Sequence, residues 1–319
     1  MSKYFLRRAL ISIPVLLGIS LVIFTILAMA PGDPFEELAT NPNVPPEVRA
    51  NLRAQFGLDD PIAVRYVRWV AAMLRGDWGF SFASRVNVST LIMQRLPTTL
   101  FVLGTAQLLA ILVALPIGIY SAVRPYSIFD QIATTFAFIG FSLPTFFTGL
   151  LFILLFSIYL DWLPFIYRAD IVSTGWRWVW EMARQAVMPI AVLGLFQGAA
   201  MTRFVRSAVL EVIRLDYVNT ARSKGLSEKA TILKHVVRNA LIPVVTLVAL
   251  QIPGVFYGAV VTEQIFRVPG IGSLLISAIL SNDTPVVMSV TFVFSVLVVL
   301  FNLIADLVYG WLDPRISYR

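Results

Sequence analysis

Cysteine does not occur in this 319-residue chain. Disulfides, Cys-ligated zinc, iron–sulfur clusters and thiol nucleophiles are therefore excluded. Histidine occurs once, as His235, and one imidazole cannot build a multi-His metal site. With no cysteine and no other histidine, no nucleophile has an imidazole base at hand, which argues against an intramembrane enzyme. A G-x-x-x-x-G-K-[ST] phosphate loop is missing too, so the chain cannot cradle ATP by that device. Charge is scarce at 13% of residues, about half the roughly 25% of soluble domains. What replaces it is apolar: 58% of residues are hydrophobic, with 23 Phe and 7 Trp, and the mean hydropathy is +0.81. A water-soluble fold of this size could not hide that much apolar surface. Part of the solvent must be lipid.

A spanning helix needs about 20 mostly apolar residues. Six intervals free of Asp, Glu, Lys and Arg qualify: Ala9 to Gly32, Leu96 to Val123, Gln131 to Leu160, Gln185 to Thr202, Asn239 to Thr262, and Thr284 to Ala305. They predict six transmembrane helices. Lys3, Arg7, Arg8 and the small residues Ala28-Met29-Ala30 mimic a secretory signal, but the apolar stretch exceeds a signal core of about 7–15 residues and reads as an uncleaved anchor. Six spans put both termini on one side. The basic residues decide which: Lys3, Arg7, Arg8, Arg124, eight between Arg203 and Arg238, Arg315 and Arg319 fall on the terminal side. The short loops opposite hold only Arg168, Arg177, Arg184 and Arg267. Positive charge concentrates inside, so the termini are expected in the cytoplasm. The net charge of +7 is thus topological, and no basic stretch is interleaved with aromatics as a nucleic-acid surface would be.

The outer segment Asp33 to Arg95 reads as two short helices, one opened by Pro45-Pro46 and closed by Gly57, the next started by Asp59-Asp60-Pro61 and ended by Gly76. Val64, Val67, Ala71 and Leu74 share a face of the second. With Trp69, Trp78, Phe80 and Phe82 placed for the headgroup level, the segment is either a cap on the outer surface or a docking surface for an external partner. Trp162, Trp176, Trp178 and Trp180 read as an interfacial belt. After the fifth span, Pro269-Gly270-Ile271-Gly272 makes a turn before Ser273 to Leu280, too short to cross and therefore surface-lying or re-entrant, as gate or as connector. Gly194 and Gly198, and Gly254 and Gly258, have the spacing that lets helices approach closely. Gln107, Gln197, Gln251 and Asn302 are uncharged polar groups at depth, each needing a structural partner, a ligand or water.

The segment Arg203 to Arg238 differs from the other loops. It carries eight basic and three acidic residues, and Gly225 separates Thr220-Ala221-Arg222-Ser223-Lys224 from Ser227-Glu228-Lys229-Ala230. The pattern predicts helix, left-handed glycine, Ser227 as N-cap, helix: a hairpin projecting from the membrane. Composition by itself is equally met by a solvated connecting loop.

Asp216-Tyr217-Val218-Asn219-Thr220-Ala221-Arg222-Ser223-Lys224-Gly225-Leu226, followed by His235-Val236-Val237-Arg238-Asn239-Ala240-Leu241-Ile242-Pro243, resembles the EAA coupling loop of ATP-binding cassette importer permeases, in the peptide-transporter branch. The resemblance extends over nearly the whole chain. It includes Ala30-Pro31-Gly32-Asp33-Pro34, Phe56-Gly57-Leu58-Asp59-Asp60-Pro61, Arg75-Gly76-Asp77-Trp78-Gly79 and Arg95-Leu96-Pro97, then Thr262-Glu263-Gln264-Ile265-Phe266, Asn302-Leu303-Ile304-Ala305-Asp306 and Leu312-Asp313-Pro314-Arg315. Asn219 stands where the general pattern has an acid, and Pro243 lies farther from the glycine than usual. Both departures suit the peptide branch.

The resemblance implies an all-α membrane protein with the six-helix type I importer permease fold. Residues 1–32 would carry the N-terminus and first span, 33–95 a small helical extracytoplasmic insertion, and 96–319 the five-helix core with its coupling loop near 203–240. It implies a permease that is not an enzyme and holds no cofactor, ATP and Mg being bound by two partner ATPase subunits. A second homologous permease would complete the path, and an extracytoplasmic solute-binding protein would deliver peptide at the inner membrane of a prokaryote. The coupling residues would be Asp216, Tyr217, Asn219, Thr220, Ala221, Arg222, Lys224, Gly225 and Leu226. Glu263, Phe266, Pro269, Gly270 and Gly272 would form an external gate or binding-protein contact, with Gln107, Gln197, Gln251 and Asn302 as candidate path-lining groups. The competing class is an ion-gradient-driven transporter or channel. That class needs ionisable residues at depth, and the six interiors are neutral.

Overall fold

The computed structural model describes residues 2–29, 47, 57, 59–168 and 172–312. Long helices dominate: α1 (Ser2–Met29), α3 (Val88–Val123), α6 (Trp176–Val212), α9 (Arg238–Phe266) and α11 (Thr284–Leu312). Between them lie α2 (Ile62–Leu74), α4 (Ile128–Ser142), α5 (Thr145–Phe152), α7 (Asp216–Ser223), α8 (Glu228–Thr231) and α10 (Ile271–Leu280). Among the described residues, five helices are long and apolar enough to cross a membrane, or up to seven if each of two bent pairs is one span. The expected helix opening at Pro45-Pro46, the Ala30–Pro34 motif and Asp313-Pro314-Arg315 lie outside the described residues, as do the surroundings of Gly254 and Gly258.

Five of the six expected spans lie on α1, α3, α6, α9 and α11, the first of them as far as Met29, where the described part of α1 ends. The third does not run straight: α4 and α5 meet at 104°. Leu143 is extended and Pro144 caps α5, because proline lacks an N–H and pushes the residue before it out of the helical region. A scan for charge alone is blind to that break. Beyond α5 the chain continues as a π-helical turn, Ile153–Tyr159.

The most extensive pairing joins α3 and α6. At 36 and 37 residues, each is about 54–56 Å long and overshoots a hydrocarbon layer of about 30 Å. Small residues set their separation. A Cβ on Gly118 would lie 2.8 Å from the Val205 side chain and 2.9 Å from the Thr202 carbonyl oxygen, so only glycine fits there. Gly194 and Gly198 face Ala106, Leu109 and Ala110 of α3; their close packing is spent within the chain.

The charges at the helix ends also tie helices together. Asp130, 3% exposed, takes a two-pronged bond from Arg206, Nε to Oδ1 at 2.6 Å and Nη2 to Oδ2 at 2.8 Å. The Tyr126 amide adds a third donor at 2.8 Å. This joins the first turn of α4 to α6. At the same end of the bundle, Arg8 meets Asp306 at 3.2 Å and joins α1 to α11.

The residues after position 59 are docked onto the bundle. Tyr66 of α2 shares a 2.9 Å hydrogen bond with Ser20 and donates to the Leu17 carbonyl. Trp69 packs on Phe24 and Phe292, and Phe292 lies eight residues, or about 12 Å, into α11. The helix therefore rests against the side of the bundle, with Val64, Val67 and Leu74 turned outward. Trp69 and Trp78 pack against the bundle, Trp69 on Phe24 and Trp78 on the cluster that holds Ile271 and Val286. Asp283, 2% exposed, accepts from the Ser81 hydroxyl and from the Ala83 amide, fixing this segment to the start of α11.

Candidate functional site

Two constructions stand at opposite ends of the 29-residue helix α9. The first is the hairpin formed by α7, Gly225 and α8. Gly225 has φ +79°, the left-handed conformation read from its position between two helical patterns. Its amide donates to the Arg222 carbonyl at 2.9 Å, and the Leu226 amide to Ala221 at 3.4 Å. These two reversed bonds close α7 in a Schellman motif. Ser227 then caps α8, its hydroxyl accepting from the Ala230 amide at 3.4 Å, as expected.

The closed turn is clamped and anchored. Arg222 grips Glu228 with Nε at 3.1 Å and Nη2 at 2.8 Å, and Nη1 reaches the Asn219 side-chain oxygen at 3.3 Å. The Glu228 carboxylate raises the Arg222 pKa above its ordinary value, chiefly through this bond. Asn219, which stands where the general pattern has an acid, thus serves as an acceptor for the clamp. Thr220 bonds back to Asp216, and Tyr217 donates to the His235 carbonyl at 3.5 Å. Underneath, Val218 is buried in one cluster with Val205, Val209, Val236 and Ala240, and Ala221 is buried as well. Burying a valine side chain contributes about 1.5–3 kcal/mol, so α7 is held to the ends of α6 and α9 by packing as well as by bonds. Of the predicted coupling residues, Asp216, Tyr217, Asn219, Thr220, Lys224, Gly225 and Leu226 are exposed, Arg222 is half-buried, and Ala221 faces inward. His235 carries no special contact through its ring among those described; its carbonyl does the bonding.

The second construction joins α9 to α10. Arg267, at φ +51°, ends α9, and α10 folds back at 80°. It starts two residues earlier than the expected Ser273, and Ile271, Gly272, Ser273, Leu274 and Ala278 are buried against α3, α9 and α11. Glu263, 1% exposed, sits at its N-terminus, where free amides and the helix dipole favour a carboxylate. One oxygen accepts from Thr99 of α3 at 2.6 Å and the other from the Ser273 amide at 3.0 Å. Thr99 in turn accepts from the Ile271 amide at 2.8 Å. Gly272 leaves room for this: a Cβ there would stand 2.7 Å from the Val260 Cα. Phe266 is also buried, while Gly270 bonds to the Ser273 hydroxyl. Glu263 and Phe266 therefore join three helices and present no side chain to an external partner here. Pro269 is half-buried.

The path-lining candidates divide. Both polar atoms of Gln107 and the Gln197 oxygen are buried without a hydrogen-bond partner, Gln251 is half-buried, and Asn302 is exposed. Thr99 and the pair Asp130–Arg206 were not singled out from sequence. Their signals were present, a hydroxyl two residues after Pro97 and opposite charges at two span ends, but neither signal names its partner.

The family described as "Binding-protein-dependent transport system inner membrane component" matches residues 114–318, and its N-terminal companion matches residues 1–103. The chain belongs to this family. It is a permease subunit of a transport system and not an enzyme. Over the full length of both chains it is 41% identical to the oligopeptide transport system permease protein AppB of Bacillus subtilis and 36% identical to the dipeptide transport system permease protein DppB of Escherichia coli K12. It is also 36% identical over both full lengths to the glutathione transport system permease protein GsiC of Salmonella paratyphi A. The fold is shared with a crystal structure of an amino acid ABC transporter with histidines, at TM-score 0.54 and 12% identity, covering 70% of this permease and 94% of that chain. The type I importer permease fold is thereby established, and the ion-gradient reading falls away.

Proposed function

We propose that this permease pairs with a second, related permease to enclose a path for di- or oligopeptides. An extracytoplasmic solute-binding protein delivers the peptide, and two ABC ATPase subunits, which hold ATP and Mg, drive the cycle at the inner membrane of a prokaryote. The observation that carries the coupling role is the hairpin: a Schellman turn at Gly225 whose outer face is exposed while Val218 is packed into the bundle and Ala221 is buried. A lever must transmit motion without bending. The clamp of Arg222 on Glu228 and the buried underside of α7 give it that stiffness. Peptide as cargo rests on the relatives that carry oligopeptides and dipeptides in their names. Gln107 and Gln197 would line the path or its wall, since polar atoms buried without partners in one subunit call for water, cargo or a neighbouring chain. The α9–α10 junction would form the external gate, Glu263 and Thr99 holding α10 to α3, with Pro269, Gly270 and Gly272 shaping the turn.

Purified by itself, the permease is expected to show no ATP hydrolysis, and the assembled complex is expected to hydrolyse ATP faster when loaded binding protein is added. Turnover that survives removal of every ATPase subunit would overturn the assignment of work to partner chains.

Orientation is tested separately. The absence of native cysteine makes labelling clean: a cysteine replacing Asn43 should react with an impermeant maleimide from outside, and one replacing Ser227 only after permeabilisation. Labelling of the Ser227 variant in intact cells would reverse the proposed topology.

A further inference from the structure

At the end of the bundle that carries the hairpin, α3, α4 and α6 enclose a cavity of about 180 Å³. A water's share of liquid volume is about 30 Å³, so the space suits a group the size of a phosphate. Its polar lining comes from Ser121, Thr134, Thr202, Arg203, Arg206 and Ser207. What matters is which of these groups are already occupied. Asp130, which touches the lining through Thr134 and Arg206, is saturated by Arg206, the Tyr126 amide and Thr134. Arg206 spends Nε and one Nη2 hydrogen on it and keeps its remaining donors. The Arg203 guanidinium carbon stands over Phe138 and Phe141, 4.9 and 5.2 Å from the ring centroids, a contact with the ring faces that uses none of its five N–H donors. Ser121 is 1% exposed, and its hydroxyl has no partner.

The free groups are therefore donors, and two guanidinium charges against one carboxylate leave a net charge of +1. Such a cavity selects an oxyanion. Its depth narrows the source. Arg203 directly follows the charge-free interval Gln185 to Thr202, and Ser121 lies three residues before Arg124, so the cavity stands at headgroup level. Apolar surface leads away from it into the membrane, where Phe138, Phe141 and Leu195 are about half exposed. Basic pockets between transmembrane helices recognise lipid phosphates in this way. We propose that the cavity binds the phosphate of an anionic phospholipid of the adjoining leaflet, between Arg203, Arg206 and Ser121, with the acyl chains laid along Phe138 and Phe141. The bound lipid would join α3, α4 and α6 beside the hairpin. The assignment of leaflet rests on the proposed orientation, whereas retention of the lipid reads the site whichever side it faces.

The test uses the assembled importer, delipidated in detergent, titrated with phosphatidylglycerol or phosphatidylcholine and read by native mass spectrometry. Wild type is expected to retain phosphatidylglycerol preferentially, one molecule per copy of this permease. Arg203→Gln, which leaves the Asp130–Arg206 bond untouched, should reduce that retention about fivefold. Arg214→Gln, an exposed charge outside the cavity, should not change it. Thermal unfolding gives a second readout, with phosphatidylglycerol raising the midpoint of wild type more than that of Arg203→Gln. Equal retention of phosphatidylcholine, or an equal loss in Arg214→Gln, would reduce the effect to general surface charge and overturn the proposal. Occupancy by inorganic phosphate at millimolar concentration with no lipid preference would make the cavity a free-anion site. Displacement of the lipid by transported peptide would make it part of the path, and absence of lipid from the assembled complex would mean that the neighbouring chain covers it. Each of these three results would also overturn it.

Discussion

Gly225→Val is expected to abolish peptide-stimulated ATP hydrolysis and peptide uptake together, while the permease still reaches the membrane at near-normal abundance. The φ of +79° at this residue is open to glycine but costs an L-residue about 1–2 kcal/mol, and a β-branched side chain resists it more. A Cβ at Gly225 would meet no heavy atom within 4 Å, so crowding inside the permease contributes nothing and the penalty is one of backbone conformation. The valine variant can relieve it only by opening the Schellman bonds to Arg222 and Ala221, which would misplace Lys224 and Leu226. Anchoring through Val218 keeps α7 on the bundle, so insertion survives. Three substitutions separate this account from a steric one. Asparagine tolerates left-handed backbone better than alanine, so uptake per assembled complex should fall in the order Asn, Ala, Val. If the ATPase instead requires an empty space at this position, alanine will outperform asparagine. Full uptake by the valine variant would reduce the hairpin to a solvated connector.

Glu263→Ala is expected to release α10 from α3 and destabilise the permease by about 3 kcal/mol. Truncation strands the Thr99 hydroxyl and the Ser273 amide, both buried, and each unsatisfied buried group costs about 1–3 kcal/mol. Limited proteolysis checks this locally. Arg267 is exposed but is followed by the fully buried Val268, whose amide is bonded to the Glu263 carbonyl at 2.8 Å, so trypsin should cut after Arg267 much faster in the variant. Glu263→Gln should fall between, since its amide nitrogen must oppose one of the two donors. An unchanged cleavage rate in the alanine variant would mean that packing of Ile271 and Leu274 holds α10 without the carboxylate.

Much of this was legible from residue types alone. A charge-free interval of about 20 residues reports a choice of solvent, and that choice is local, so α1, α3, α6, α9 and α11 could be placed before any contact was known. The hairpin was legible for a similar reason. Glycine between two helical patterns, with Ser227 two residues later, encodes its own turn through backbone preference and a cap.

The sequence by itself therefore determined the class of solvent, the position of the long apolar helices, the turn at Gly225 and the motifs of a binding-protein-dependent permease. Tertiary structure decided which of those elements meet. Nothing local pairs Asp130 with Arg206, 76 positions apart, or Thr99 with Glu263, 164 apart. Gly194 and Gly198 signal close packing without naming their partner, and only the fold shows it to be α3 of the same chain. The physical reason is that a membrane helix satisfies its backbone by itself. Its sequence must specify that it is a helix, but its neighbours are chosen by small residues, single hydrogen bonds and buried charges whose meaning appears only once two surfaces are in contact.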